Sequence, residues 1–260
     1  MSILDEIVVA RRKKLAADKK ATPLADLLAT LSDRHLTPFA FEEALRLSDM
    51  AFICEVKKAS PSKGVIAEHF PYVDIAKDYE AAGATALSVL TEEDYFQGSD
   101  NYLKEISQAV DIPILRKDFI IDPYQIYQAR AIGADAILLI CAILTPGQLA
   151  EYIGLADELG LSVLTEAHDA DEITMAIEAG SRLIGVNNRN LHNFEVDFQN
   201  SIRLRHLTPA DTLFVAESGI KTAADIKLLH DHQVDAVLIG ESMMLAEDKP
   251  AMLTELKGAL

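Results

Sequence analysis

From residue 51 onward, short apolar runs alternate with longer amphipathic segments. Eight runs read as strands: Ala51–Val56, Ala86–Leu90, Ile112–Arg116, Ala136–Ile140, Ser162–Thr165, Leu183–Val186, Leu213–Ala216 and Ala236–Ile239. Each is short, bounded by turn-forming or polar residues, and mostly without alternation, as expected of strands buried on both faces. Segments of helical period lie between them, among them Tyr72–Ala82, Asp122–Ala131, Pro146–Leu159, Asp169–Ala179 and Thr222–His230. Gly83, Gly133, Gly160 and Gly180 close several of these, where a left-handed C-cap favours glycine. "AGA" or "IGAD" before the next strand marks a repeated helix-to-strand unit.

Eight strands separated by helices fit a closed barrel or a doubly wound sheet. The 260 residues match the roughly 250 that a (β/α)8 barrel needs, although length alone also admits two small domains. No G-x-G-x-x-G follows the first strand, which weakens the dinucleotide-binding alternative. The expected fold is therefore α/β, a (β/α)8 TIM barrel over residues 51–260 with an N-terminal helical extension over 1–50. No Gly/Ser-rich or Pro-rich linker divides the chain, so a single domain over 1–260 is expected.

Composition changes this picture little. Hydrophobic residues make up 50% and charged residues 25%, as in an ordinary soluble core. No apolar run approaches the roughly 18 residues of a membrane span. Asp5 and Glu6 interrupt the start, so the N-terminus reads as an amphipathic helix rather than a secretory leader, with Arg11-Arg12-Lys13-Lys14 on a solvated face. Cys54 and Cys141 lie in apolar runs and suggest a reducing cytoplasm rather than a disulfide framework. The net charge of −17 repels nucleic acid and anionic membranes and excludes both as expected partners. An anionic substrate then needs local cations and oriented N–H groups.

In a barrel the catalytic groups come from the C-terminal ends of the strands. The first strand ends in Glu55, Lys57 and Ser60, and the third in Arg116, Lys117 and Asp118. The fifth delivers Glu166, the sixth Asn187, Asn188 and Arg189, and the seventh Glu217 and Ser218. Any one of these is more often a rim ion pair or a solvated charge; the joint pattern is harder to dismiss. Glu55 and Lys57 are two apart, so they share a face, and inward charge is costly unless paired or used. Lys117 and Glu166 in a partly dry pocket have the makings of an acid and a base. Ser218-Gly219 and Gly240-Glu241 follow the last two strands, where such barrels hold phosphate. The loop 58–64 reads either as a mobile lid or as an ordinary surface loop. The seven histidines lack metal-ligand spacing, so no metal is expected. His168 reads as a helix-start or surface residue, and Cys141 as a small buried hydrophobe.

Seven ordered motifs then carry a resemblance over nearly the whole chain: "CEVKKASPSKG" from Cys54, "LTEEDYFQGS" from Leu90, "ILRKDFI" from Ile114, "LTEAH" from Leu164, "IGVNNRNL" from Ile184, "VAESGI" from Val215 and "LIGESMM" from Leu238. The chain resembles the indole-3-glycerol phosphate synthases, whose N-terminal extension packs over the barrel mouth. The resemblance implies ring closure of 1-(2-carboxyphenylamino)-1-deoxyribulose 5-phosphate to indole-3-glycerol phosphate, carbon dioxide and water. It implies Lys117 as general acid on the carbonyl oxygen, Glu166 in later proton transfer, and Lys57 on the substrate carboxylate with a share in the acid duty. Glu55 and Asn187 would orient these groups, and Ser218 counts with both the catalytic and the phosphate set. Ser60, Arg189, Glu217, Gly219, Gly240 and Glu241 fall to the anionic parts of the substrate. At Glu241, where some members carry serine, the backbone N–H is the implied ligand and the side chain points away. Leu90, Phe96, Phe119, Leu138, Ile140 and Leu238 fall to the apolar pocket for the ring. No cofactor is implied, because the substrate carbonyl can act as electron sink, and no fused isomerase barrel is expected. Two readings stay open: another phosphosugar barrel such as phosphoribosylanthranilate isomerase, needing one acid–base pair and no decarboxylation, and a non-catalytic phosphosugar-binding protein on the same fold.

Overall fold

The computed structural model describes residues 2–31, 37–190 and 195–258. Three helices come first, α1 (Ile3–Ala21), α2 (Leu24–Ala29) and α3 (Ala40–Arg46). Then follow β1 (Ala51–Val56), a small hairpin β2 (Ala59–Ser60) and β3 (Gly64–Val65), α4 (Tyr72–Ala81), β4 (Ala86–Leu90), α5 (Asp100–Ile106), β5 (Ile114–Lys117), α6 (Pro123–Ile132) and β6 (Ala136–Ile140). The rest is α7 (Pro146–Glu158), β7 (Ser162–Ala167), α8 (Ala170–Glu178), β8 (Leu183–Asn187), α9 (Gln199–Arg205), β9 (Leu213–Glu217), α10 (Ala223–Asp231), β10 (Ala236–Ile239), α11 (Glu241–Leu245) and α12 (Lys249–Lys257). Strands β1 and β4–β10 close into one parallel barrel in sequence order, with β10 paired back to β1. The doubly wound alternative is excluded.

Parity along each strand sorts its side chains. Ile53, Leu115, Leu138, Leu164, Val215 and Leu238 pack together inside the barrel. Phe52, Val89, Ile137, Val163, Phe214 and Val237 belong to the larger layer between strands and helices. Both faces are thus buried, which is why the strand sequences show no polar alternation. Strands β1, β4, β6 and β10 have the bounds expected from sequence, whereas β5 is Ile114–Lys117 rather than Ile112–Arg116. Strands β7, β8 and β9 run one or two residues past their expected ends, into Glu166-Ala167, Asn187 and Glu217. Those added residues are polar or flank a polar one, so an apolar pattern cuts them off. Gly83, Gly133, Gly160 and Gly180 all take positive φ.

The N-terminal helices close both ends of the barrel. Helix α1 lies at the mouth, where Ile3, Leu4 and Ile7 face the cavity. Helix α3 plugs the opposite end, with Phe41 and Leu45 completely buried in the inner barrel core. Glu42 on α3 is held by Arg182, which also grips Asp157. The basic run on α1 is not all solvated: Arg11 is buried and bonds Asp118 Oδ2 at 3.1 Å. Among the described residues no helix is long and apolar enough to cross a membrane.

Candidate active site

A cavity of about 1050 Å³ opens at the C-terminal ends of the strands. Every residue to which the resemblance gives a catalytic or substrate-binding role lines it: Glu55, Lys57, Ser60, Leu90, Phe96, Lys117, Phe119, Leu138, Ile140, Glu166, Asn187, Arg189, Glu217, Ser218, Gly219, Leu238, Gly240 and Glu241. The walls also include residues that no motif reading named, among them Ile3, Leu4 and Ile7, and Lys63, which the first motif contains but to which no role was given. The α1 residues are ordinary helical hydrophobics in the sequence, and only the packing of α1 over the mouth brings them here. Arg116 does not converge on the cavity. It alternates with Lys117, so it points outward, where it is fully buried and bonds Thr91, Gln125, Gln128, Asp100 and Asp118.

The floor of the cavity holds three carboxylates and two ammonium groups. Lys117 Nζ lies 2.5 Å from Glu217 Oε2 and 3.4 Å from Glu166 Oε2. Lys57 Nζ lies 2.9 Å from Glu55 Oε1, and Ser88 donates to Glu55 Oε2 at 3.3 Å. Burial opposes charge on Lys117, but Glu217, Glu166 and Glu55 outweigh it and raise its pKa above the usual lysine range. It is therefore an ammonium, a proton donor, at neutral pH. Burial raises Glu217 most, with Glu166 and Glu55 adding to it against the pull of Lys117, and its carboxyl is pushed up to about 7. Glu166 moves the other way: burial works against its charge, but Lys117 and His168 together hold it below its usual value. Two carboxyls against one ammonium thus have proton affinities pushed apart, as an acid–base site requires.

Asn187 fixes the geometry. Its Oδ1 accepts from Ser218 Oγ at 2.9 Å and from the Arg189 N–H at 3.0 Å. Its amide is thereby turned so that Nδ2 donates to Glu166 Oε2 at 3.4 Å. Behind it, the buried Asn188 donates to the Ser218 carbonyl and accepts from Ser201. Ser218 takes φ 65° and Gly219 φ 84°, two successive left-handed residues in a turn that lines the cavity. A Cβ at Gly219 would lie 2.6 Å from Val196 Cγ1, so both conformation and space require glycine there. At Gly240 a Cβ would overlap Glu55 Oε1, so this glycine clears room for the carboxylate.

The Glu241 side chain is held at the rim by two cations. Its Oε1 pairs with Lys63 at 3.1 Å and its Oε2 with Arg189 at 3.2 Å. Two cations at the rim thus share one carboxylate, beside the Ser218–Gly219 turn. Lys63 comes from the β2–β3 hairpin, whose four paired residues are the whole of its ladder. Phe96 and Phe119 form the apolar side, with ring centroids 6.0 Å apart. Glu92 holds Phe96 in place by accepting from the N–H groups of Asp94, Tyr95 and Phe96.

The two cysteines are inert. Cys54 and Cys141 are buried thiols, each pushed up to about 12 chiefly by burial. Among the described residues no group of three or more His, Cys, Asp or Glu side chains could hold a metal ion. Leu191, the last residue of the "IGVNNRNL" motif, lies outside the described residues. His168 stands just ahead of α8 as expected, but it is no surface residue: its Nε2 is fully buried.

The family model described as indole-3-glycerol phosphate synthase matches residues 4–256. A protein of that name from Ruminiclostridium cellulolyticum is 57% identical over 258 residues, covering 99% of this chain and 99% of that one. Another of that name from Endomicrobium trichonymphae is 52% identical over 257 residues, covering 98% and 99%. Among solved structures, 3-hexulose-6-phosphate synthase from Salmonella typhimurium aligns at TM-score 0.67 with 14% identity, covering 81% of this chain and 98% of that one. At that identity the likeness shows the barrel fold alone.

Proposed function

Because the chain belongs to the indole-3-glycerol phosphate synthase family, a family of decarboxylating lyases, we propose how its barrel mouth closes the indole ring. The observation that carries the reading is Lys117, a buried ammonium flanked by Glu217 and Glu166 on the cavity floor.

The substrate is 1-(2-carboxyphenylamino)-1-deoxyribulose 5-phosphate. Its ring lies against Phe96, Phe119, Leu90, Leu138, Ile140 and Leu238, and its carboxylate meets Lys57. Its phosphate sits at the rim, on the N–H groups of Ser218–Gly219 and Gly240–Glu241. Lys63 and Arg189 supply the positive charge that a chain of net charge −17 needs there. Ser60, on the hairpin that carries Lys63, closes that side.

Ring closure joins the aromatic carbon bearing the carboxylate to the ribulosyl carbonyl carbon. Negative charge moves onto the carbonyl oxygen, and Lys117 supplies the proton. Loss of carbon dioxide returns the bonding electrons to the ring. Dehydration then takes a proton from the ring carbon beside the nitrogen and breaks the C–O bond, the hydroxyl leaving as water with a proton from Lys57. Glu166, held ionised and aimed by Asn187, takes the ring-carbon proton and stabilises positive charge on the way. Glu55 keeps Lys57 in place, and Glu217 does the same for Lys117.

The two remaining readings predict no indole product. Incubation with the carboxyphenylamino substrate should give the fluorescence of indole-3-glycerol phosphate. Isomerisation of a phosphoribosyl substrate without carbon dioxide release, or binding without turnover, overturns the reading. We place the enzyme in a reducing compartment, the cytoplasm, on its two buried unpaired thiols, and read the α1–α3 segment and the barrel as one domain.

A further inference from the structure

The ring of His168 is held between two carboxylates, one of which belongs to the proposed site. His168 lies two residues beyond Glu166, yet it does not line the cavity while Glu166 does. Its Nδ1 is 3.2 Å from Glu172 Oε2, and the same oxygen accepts from the His168 N–H at 2.7 Å. Asn200 Nδ2 donates to the His168 carbonyl at 3.0 Å. Backbone and ring are thus fixed from α8 and α9. The other ring nitrogen, Nε2, is buried without a hydrogen-bond partner and lies 3.6 Å from Glu166 Oε1.

A carboxylate only accepts, so contact with Glu172 puts a proton on Nδ1. In a neutral ring that leaves a lone pair at Nε2 facing Glu166, which is repulsive. Only the imidazolium presents a donor to each side. Glu166 then has two cations on opposite oxygens: Lys117 on Oε2, toward the cavity, and His168 on Oε1, away from it.

We propose that His168 is a positioning residue of the ring-closing reaction, an imidazolium anchored by Glu172 that aligns Glu166 and keeps it ionised when Lys117 gives up its proton. The proposal rests on the assignment of Glu166 to proton transfer. Its logic is electrostatic. Proton donation by Lys117 removes one positive charge beside Glu166, with Glu217 still close by. Without His168, Glu166 would become a stronger base at that moment and capture a proton too early. The charged groups facing His168 are Glu166 from β7, Glu172 from α8 and Glu217 from β9. Burial works against its charge, but the bond to Glu172 and the charges of Glu166, Glu172 and Glu217 outweigh it, so its pKa lies above the ordinary 6.5. Cys141 packs against the Glu172 carbonyl and, with its pKa pushed up, brings no charge at neutral pH.

The test combines an NMR titration with pH–rate profiles. The His168 ring resonance, assigned by its loss in His168→Gln, should titrate above 6.5 in the wild type and move down in Glu166→Gln and in Glu172→Gln. In His168→Gln the acid limb of kcat should move up by roughly half to one pH unit, the size of shift one nearby charge produces. Glu172→Gln should move it the same way by less, and serves if His168→Gln does not fold. His168 titrating at or below its ordinary value, or an acid limb unmoved in both variants, overturns the proposal. Glu166→Gln with near-normal turnover would instead overturn the role of Glu166, an outcome the NMR titration separates from the first.

Discussion

Lys117 and Glu217 form an ion pair of 2.5 Å on the cavity floor, and Glu217 Oε1 has no hydrogen-bond partner of its own. One end of this carboxyl is strongly satisfied and the other is left to burial. The consequence is a group that keeps a proton far above the usual carboxylate range.

Glu217 gives the first prediction. Its folded-state pKa, about 7, exceeds the ordinary 4.5, so between those values the folded protein binds a proton that the unfolded chain releases. Stability therefore falls as pH rises through that window. Unfolding by denaturant at a series of pH values should show this downward slope. Glu217→Gln should flatten it, and an unchanged slope in the variant would place the proton elsewhere.

Asp118 gives a stability prediction. Its Oδ2 accepts from Arg11 at 3.1 Å, Arg116 at 3.1 Å and Thr91 at 2.7 Å, and its Oδ1 accepts from the Phe119 N–H. The carboxylate ties α1 to β5 and holds a ring wall of the cavity. Asp118→Ala would leave two buried guanidinium groups short of their counter-charge, at a cost of about 3–5 kcal/mol. Chemical denaturation measures this directly; a loss below about 1 kcal/mol would mean that water or Asp100 takes over.

Glu241 competes with an incoming phosphate for Lys63 and Arg189. These pairs lie at a partly exposed rim, so each contributes little. Glu241→Ser should remove this competing carboxylate and tighten inorganic phosphate binding by roughly two- to fivefold, read by calorimetry at low salt, with the gain shrinking as salt rises. Weaker phosphate binding in the variant would make Glu241 a support of the site rather than a competitor.

Much of this architecture is legible in the sequence because barrel strands follow parity. Ile53-x-Glu55-x-Lys57 and Leu164-x-Glu166 each run from the inner core to the mouth on alternate positions, so the apolar half of a strand points to its polar half. Parity also shows why Arg116 turns outward while its neighbour Lys117 turns in. Arg11 and Ile7 were not legible, because α1 reaches the mouth by long-range packing that leaves no local pattern. The ion pairs of the Glu241 side chain are illegible for a related reason: its partners Lys63 and Arg189 are distant in sequence. Nor does the spacing of histidines reveal His168, which owes its place to two carboxylates rather than to a motif.

The central claim is that Lys117 is the acid of ring closure. A positioned general acid contributes typically about 10²–10⁴ in rate, and stabilising the oxyanion adds to that. Lys117→Met keeps the length and apolar stem of the side chain while removing both charge and proton. Its steady-state kinetics with the carboxyphenylamino substrate should show kcat lowered by at least roughly 10², with KM within about tenfold because the ring and phosphate contacts remain. A folded Lys117→Met enzyme with near-normal kcat would contradict the account and move the acid to Lys57; a normal kcat with a greatly raised KM would make Lys117 a binding residue instead.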